Sequence, residues 1–329
     1  MISRPLSACF WTAQSFLFIG LFGLVDAILL FTFALRNGWP HLDFFGIWSW
    51  ACFEIESGPS LIYDHAAQHA FLLSLDPQFP VPMPFPYWPP YLLLIRPLGW
   101  LSYPVAQLLW TGSTLLAYLV AICAPAWRPK TVLVALLAPA SAINLLYGQN
   151  GFLTAALLVG GIRLAPSRAL PGGVLLGLLA YKPQFALVVI VALLAARLWL
   201  AALAATATVV AAAAGSLIVF GVAPWLAWVR AMPDFVAIVN AQRPRLLHLM
   251  PTALSNALEL GASDQLAWGV QGAAMVGAAI AVWLVFRRDI TNRAAAFLAV
   301  ASMLASPYAF VYDLTLVGAA IALEPDLKF

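Results

Sequence analysis

Charge is the scarcest property of this chain. Of its 329 residues, 9% are Asp, Glu, Lys or Arg and 64% are hydrophobic, where a soluble domain shows about 25% and about 45–50%. That balance excludes a water-soluble globule and leaves a membrane protein. The near-neutral balance of 16 basic and 13 acidic residues gives no sign of a nucleic-acid partner, and none is expected. Cysteine is nearly missing. Cys9, Cys52 and Cys123 fall in separate segments without paired or metal-ligand spacing, so neither a disulfide nor a zinc site is expected. His65 and His69 have the four-residue spacing of a helical metal pair, but HAAQH lacks the glutamate that a metalloprotease motif carries between them.

What is abundant is apolar sequence in blocks close to the 17 to 25 residues that cross a hydrocarbon core of about 30 Å. Crossing segments of that length are helices, because every backbone polar group must be satisfied within the segment. The first block, 14–35, is too long for a signal-peptide core and is not followed by a small-residue cleavage site, so it reads as a retained helix. Further candidate spans cover 103–124, 130–147, 151–165, 170–181, 183–198, 199–222, 266–286, 293–305 and 309–323. The expectation is therefore an all-α, polytopic integral membrane protein of about ten transmembrane helices, several of them short, in one domain over 1–329. Asp26 sits inside the first span, where an acid is costly and faces the bundle interior.

Charge asymmetry sets the topology. The stretch 174–191 reads either as one kinked helix or as two half-length helices meeting at Pro183. With two, the short inner loops hold Arg4, Arg128, Lys130, Arg163, Arg168, Arg197, Arg287, Arg288, Arg293 and Lys328, as the positive-inside rule asks. With one, everything beyond it inverts. The hairpin reading gathers the unusual polar residues on the outer face: the first outer loop at 37–102 with Asp43, Glu54, Glu56, Asp64 and Tyr87, then GQN (148–150), YKPQ (181–184), a second long loop at 223–265, and YDL (312–314). Within these loops WSWACFEIESG, DHAAQHAFLLSL and WLAWVRAMPDFVAIVNA read as amphipathic interfacial helices, and PPYLLLIRPLGWL as an interfacial or re-entrant one. The proline breaks at YKPQ and SPYAFVYD face one side, the pattern expected of a site at the membrane boundary. GVLLG argues for close helix packing.

DFxxxWxWA, SGPSLIYD, YxPPYLLLIRPLGWLS, YGQNGFL and GLLAYKPQFAL, in that order from about residue 41 to 314, resemble the bacterial glycosyltransferase family 87 of the GT-C superfamily. The resemblance implies a GT-C-like bundle in the bacterial cytoplasmic (inner) membrane, with its active site facing the periplasm or cell exterior. It implies transfer of a hexose, commonly mannose, from a polyprenyl-phosphate carrier to a glycan or glycolipid acceptor. Asp43 matches the position of the superfamily's catalytic base. Unlike many family members, the sequence stops at EPDLKF, soon after the tenth span.

The chemistry asks for the same residue types. Inverting transfer needs one carboxylate to take the acceptor proton as an oxocarbenium-like centre develops. A phosphate leaving group needs only cations and donors. Asp43 is the base candidate, and Lys182, Arg243 and Arg245 are the candidates for the donor phosphate. Tyr87, Gln149, Asn150, Gln184, Tyr312 and Asp313 are placed to bind sugar or acceptor, and Trp48, Trp50 and Trp88 offer stacking faces or lipid anchors. Plainer readings stand beside these. Asp43 also suits a helix N-cap, the aromatics an interface belt, and the basic residues lipid headgroups. A transporter or lipid flippase would share the broken helices, but no internal repeat is apparent and the inner loops hold little besides Arg and Lys.

No cofactor or metal is expected, because the outer loops lack an Asp-x-Asp pair. Sugar transfer should then persist in EDTA. Complete loss on chelation, restored by magnesium or manganese, would overturn that expectation and point first to Glu54, Glu56 and Asp64.

Overall fold

The computed structural model describes residues 43–79, 82–288 and 290–324. The expected first span at 14–35, with Asp26, and the terminal Arg4 and Lys328 lie outside them. Every regular element among the described residues is helical. The first outer loop forms α1 (Asp43–Ser57), α2 (His65–Leu75) and α3 (Pro90–Ile95), the last running into a 3-10 turn at Arg96–Trp100. Then come α4 (Tyr103–Cys123), α5 (Pro129–Leu137), α6 (Pro139–Tyr147), α7 (Gly151–Leu164), α8 (Ala169–Leu178), α9 (Pro183–Ala195) and α10 (Trp199–Phe220). The second long loop holds α11 (Ala223–Ala241), α12 (Arg243–Leu246) and α13 (Ala253–Glu259), and the chain closes with α14 (Asp264–Phe286), α15 (Asn292–Ala305) and α16 (Thr315–Leu323).

Three of these helices are long and apolar enough to cross a membrane. α4, α10 and α14 have 21, 22 and 23 residues, and at 1.5 Å per residue each exceeds about 30 Å. The ten-span expectation is not reached on length alone, because α7, α8, α9, α15 and α16 are apolar but shorter. Their burial accounts for the difference in part. Nearly all of α7 is buried, including Phe152, Leu157, Leu158 and Ile162, so it is the inner post of the bundle, and a helix apolar all round belongs in such a place.

The expected single span at 130–147 is two helices, α5 and α6, bent by 63°. Pro139 is the cause. It has no N–H for the carbonyl of Ala135, and its ring would crowd that carbonyl in a continuous helix. The Ser141 hydroxyl donates to the freed Ala135 oxygen at 2.5 Å, which satisfies a group that lipid could not.

Small residues set the helix directions. A Cβ on Gly173 would strike Ala204 Cβ at 2.6 Å, and one on Gly177 would meet the Ala205 carbonyl oxygen at 2.5 Å, so GVLLG lets the α8 and α10 backbones approach closely, as expected. Because 173 pairs with 201–204 and 177 with 205–208, α8 and α10 run parallel. The segment between them must therefore return, and it does so through α9 after the break at Lys182 and Pro183. The geometry supports the hairpin over the single kinked helix. It also places the turns containing GQN, YKPQ and YDL at one end of the bundle, with Arg128, Arg163 and Asn292 at the other.

The first outer loop corrects the interfacial expectation for α1. Phe44, Phe45, Ile47, Trp50, Ala51, Phe53 and Glu54 are all buried, because α1 lies directly on the 3-10 turn, where a Cβ on Gly99 would meet the Ala51 backbone at 2.8 Å. By contrast α2 buries only Gln68 and Leu72, and α11 only Pro224 and Ala231, as surface-lying helices should. Cysteine labelling in intact cells checks the orientation: with the native cysteines replaced, Leu260→Cys should react from outside, and Ser167→Cys only after permeabilisation. The reverse pattern would invert the topology.

Candidate active site

The site begins with a glycine. Gly148 has a left-handed backbone (φ 64°) and ends α6, and a Cβ there would stand 2.6 Å from that of Phe44. Glycine is thus required both for the turn and for the approach of α1. That approach brings Gln149 to Asp43, whose Oδ2 accepts a hydrogen bond from Gln149 Nε2 at 2.9 Å. A partner 106 residues away in sequence is more than an N-cap role needs. Asp43 is half-buried. Burial raises its carboxyl above the usual carboxylate range, and the Gln149 hydrogen bond offsets part of that rise.

Behind this pair stands a column of tyrosines. Asn150 Nδ2 donates to the Tyr87 hydroxyl at 2.8 Å, and the Tyr63 hydroxyl donates to the Tyr87 carbonyl at 3.0 Å. The Tyr87 ring stacks on Tyr91 with centroids 3.9 Å apart, and Tyr91 on Tyr181 at 5.4 Å. The Tyr181 hydroxyl shares a 2.7 Å hydrogen bond with Thr154. The column joins the first outer loop to the α8–α9 break.

At that break Lys182 meets Asp313. Nζ lies 2.5 Å from Oδ1, with side-chain exposures of 5% and 1%. The other Asp313 oxygen accepts from the Phe310 N–H at 3.2 Å, and the ammonium faces the Tyr312 ring at 4.9 Å. Gln184 donates to the Tyr308 carbonyl at 3.2 Å. The YKPQ and SPYAFVYD breaks are therefore bonded to each other twice.

Asn144, not a candidate from the sequence, binds the same assembly together. The two N–H groups of its amide are shared among Ala140 O, Tyr312 O and Thr315 Oγ1, each 2.8 Å from the nitrogen, while its oxygen accepts from the Gly151 N–H at 2.9 Å. An amide alone in the apolar run of α6 is the signal that points to it, since such residues in membrane segments need partners.

Six of the ten candidate residues thus pair off, as Asp43 with Gln149, Tyr87 with Asn150, and Lys182 with Asp313. Tyr312 covers Lys182, and Gln184 adjoins at Tyr308. Arg243 and Arg245 stand apart. Arg243 forms a bidentate pair with Asp264 at 3.0 and 3.1 Å on the wall of a cavity of about 270 Å³ that also includes Tyr308, and Arg245 is exposed. The tryptophans mostly hold the loops together: the Trp50 indole donates to Met83 O at 2.8 Å, that of Trp48 to Leu101 O at 3.0 Å, and Trp88 meets Trp225 edge-on. His248 pairs with Glu259 at 2.6 Å. Glu54 is buried against Arg96, with Nε 3.4 Å away, and burial raises its carboxyl while Arg96 partly restores it.

A bundle of broken apolar helices with carboxylates, amides and a lysine gathered at one end defines an integral-membrane protein with a polar site at its boundary. The chain belongs to glycosyltransferase family 87, whose profile matches residues 85–307, and it is accordingly a glycosyltransferase. Asp43 precedes the matched segment, while Tyr87, Gln149, Asn150, Lys182 and Gln184 fall within it. Searches of curated proteins and of solved structures return no match.

The Lys182–Asp313 pair makes a stability prediction. Removing one member of a buried ion pair strands the other and typically costs about 3–5 kcal/mol, whereas replacing both with apolar groups is often near neutral. Lys182→Met and Asp313→Leu should each sharply lower the melting temperature of the purified protein, and the double variant should recover most of the loss. Additive losses would show that the two side chains are not coupled.

Proposed function

We propose that this chain transfers a hexose, mannose first among them, from a polyprenyl-phosphate carrier to a lipid- or polymer-linked acceptor, with inversion, on the outer face of a bacterial cytoplasmic membrane. The observation that carries this reading is Asp43, a carboxylate half-buried at the polar end of the bundle and oriented by the Gln149 amide. In the reaction the acceptor hydroxyl oxygen attacks the anomeric carbon while Asp43 takes its proton. The bond from that carbon to the phosphate oxygen breaks, and its electron pair leaves with the phosphate. A phosphate leaves already charged, so no general acid is required, only donors to receive it.

Lys182 serves as such a donor in this reading. One of its three N–H groups is committed to Asp313, which leaves two for a phosphate arriving beside Tyr312. Asp313 then holds the lysine in place before the donor binds. The sugar would lie between Asp43 and Lys182, against Gln149, Gln184, Tyr312 and the Tyr87–Asn150 pair. Arg243 and Arg245, on the second outer loop, meet the carrier farther out, beside the Tyr308 cavity.

Asp43→Asn tests the central claim. It preserves shape and helix-capping ability but removes the proton acceptor, so turnover of purified enzyme should fall at least about 10²-fold, within the about 10² to 10⁴ range of general-base catalysis, with donor binding retained. The wild-type pH profile carries a second signature. A base works only when ionised, so kcat/KM should rise with pH through a pKa above the ordinary carboxylate value of about 3.9, and that acid limb should vanish in Asp43→Asn. Transfer within a few-fold of wild type would move the base elsewhere, with Asp64 and Asp313 the next to examine.

A further inference from the structure

At the end of the bundle opposite the polar site lies a second cavity, of about 250 Å³, lined by Arg128, Lys130, Thr131, Arg163, Asn292 and Glu324 among others. It forms where α4 and α7 end and α5 and α15 begin. Arg163 is the structural member. Its guanidinium donates to the carbonyls of Ala121 and Ala124, the latter at 2.8 Å, and its Nε donates to Asn292 Oδ1 at 3.0 Å. A cation there neutralises the carbonyl end of α4 and holds three helices at one point. Glu324, the acid on the wall, pairs with Arg293 at 3.0 Å. That leaves the cavity with an excess of positive charge from Arg128 and Lys130, both exposed, which flank the first turn of α5 with the Thr131 hydroxyl beside them.

We infer that this cavity binds the phosphodiester headgroup of an anionic phospholipid in the leaflet at that end. The chemistry it presents, two exposed cations, a hydroxyl and the positive end of a helix, suits a phosphate monoanion. Basic pockets between membrane helices are typical sites for such headgroups. The surroundings favour a lipid over free phosphate. Apolar side chains run away from the cavity along the outer faces of α4 and α5, with Leu116 60% and Val120 45% exposed on one and Leu133 49% exposed on the other, and Trp127 is 53% exposed at the rim. Acyl chains have a continuous apolar track to follow, and the indole sits where headgroup and chain meet. The cavity shares no residue with the polar end.

The test is native mass spectrometry of the purified full chain, titrated with phosphatidylglycerol, with phosphatidylcholine, and with inorganic phosphate. Phosphatidylglycerol should bind preferentially. A cation at headgroup depth is worth about fivefold in affinity, so Arg128→Gln/Lys130→Gln should weaken phosphatidylglycerol binding about thirtyfold and leave phosphatidylcholine binding unchanged. Arg287→Gln/Arg288→Gln, an equal charge change elsewhere on the same end, should have little effect. Thr131→Trp, which fills the cavity and keeps both cations, should block binding as well, and it serves if the double variant does not fold. Equal losses from the two charge pairs would overturn the site in favour of general surface attraction. Competition by inorganic phosphate at the same concentration would overturn the lipid assignment, and undiminished binding in Arg128→Gln/Lys130→Gln or Thr131→Trp would overturn the site altogether.

Discussion

A lysine and an aspartate buried 2.5 Å apart hold the polar end of this protein in place. Each lies where a helix has stopped, Lys182 between α8 and α9 and Asp313 just before α16. Breaks of this kind free backbone groups that lipid cannot satisfy, so they persist only where protein supplies the partners. Asp313 supplies one, accepting from the Phe310 N–H, while its other oxygen accepts from the Lys182 ammonium. Asn144 supplies more, joining α6 to the Tyr312 carbonyl and to Thr315. The polar cluster is thus the seam that lets three helix breaks meet, and it makes them tolerable together.

The two ends of the bundle solve different problems. At one end amides, tyrosines and paired carboxylates converge on a half-buried Asp43, in surroundings where burial favours its protonated form and a single amide opposes that. At the other end arginine is used as a clasp, with Arg163 gathering the carbonyls that end α4 and the Asn292 side chain that begins α15. Of the short helices between these ends α7 is packed inside the bundle, while α8, α9 and α15 each keep an exposed apolar face. α7 is buried along almost its whole length, and α8 meets α10 through glycines where no larger residue fits. The packed interior fixes the polar end, and the exposed α2 and α11 belong to the outer loops beside it.

Much of the site is legible in the residues alone. The hairpin at Pro183 follows from the placement of arginines in short loops, since charge distribution reports topology without knowledge of contacts. Lys182, Asp313, Gln149 and Asn150 stand out because polar residues at helix breaks in an apolar chain are costly to keep. Three features are hidden. The break at Pro139 lies inside a continuous apolar run, and only the Ser141 bond shows how it is stabilised. α1 reads as amphipathic if Glu54 and Glu56 both face solvent, whereas Glu54 turns inward to Arg96, a partner from beyond the next two helices. Arg243 and Arg245 share a face with Lys182 by topology, yet sharing a face does not bring side chains within reach.

The sequence by itself determined the solvent, the helical class, the separation of basic ends from polar ends, and the family. Each of these is a property of residue type and one-dimensional order: hydropathy over a span, charge per loop, motif order along the chain. Tertiary structure decided the pairings. Which carboxylate meets Lys182, which amide orients Asp43, and which asparagine joins α6 to the last break all depend on contacts between residues 106 to 171 positions apart. Those distances are closed by glycine-mediated approach at Gly148, Gly151 and Gly173. Backbone proximity of that kind is set by the packing of whole helices, and composition or local pattern carries no trace of which two breaks will meet.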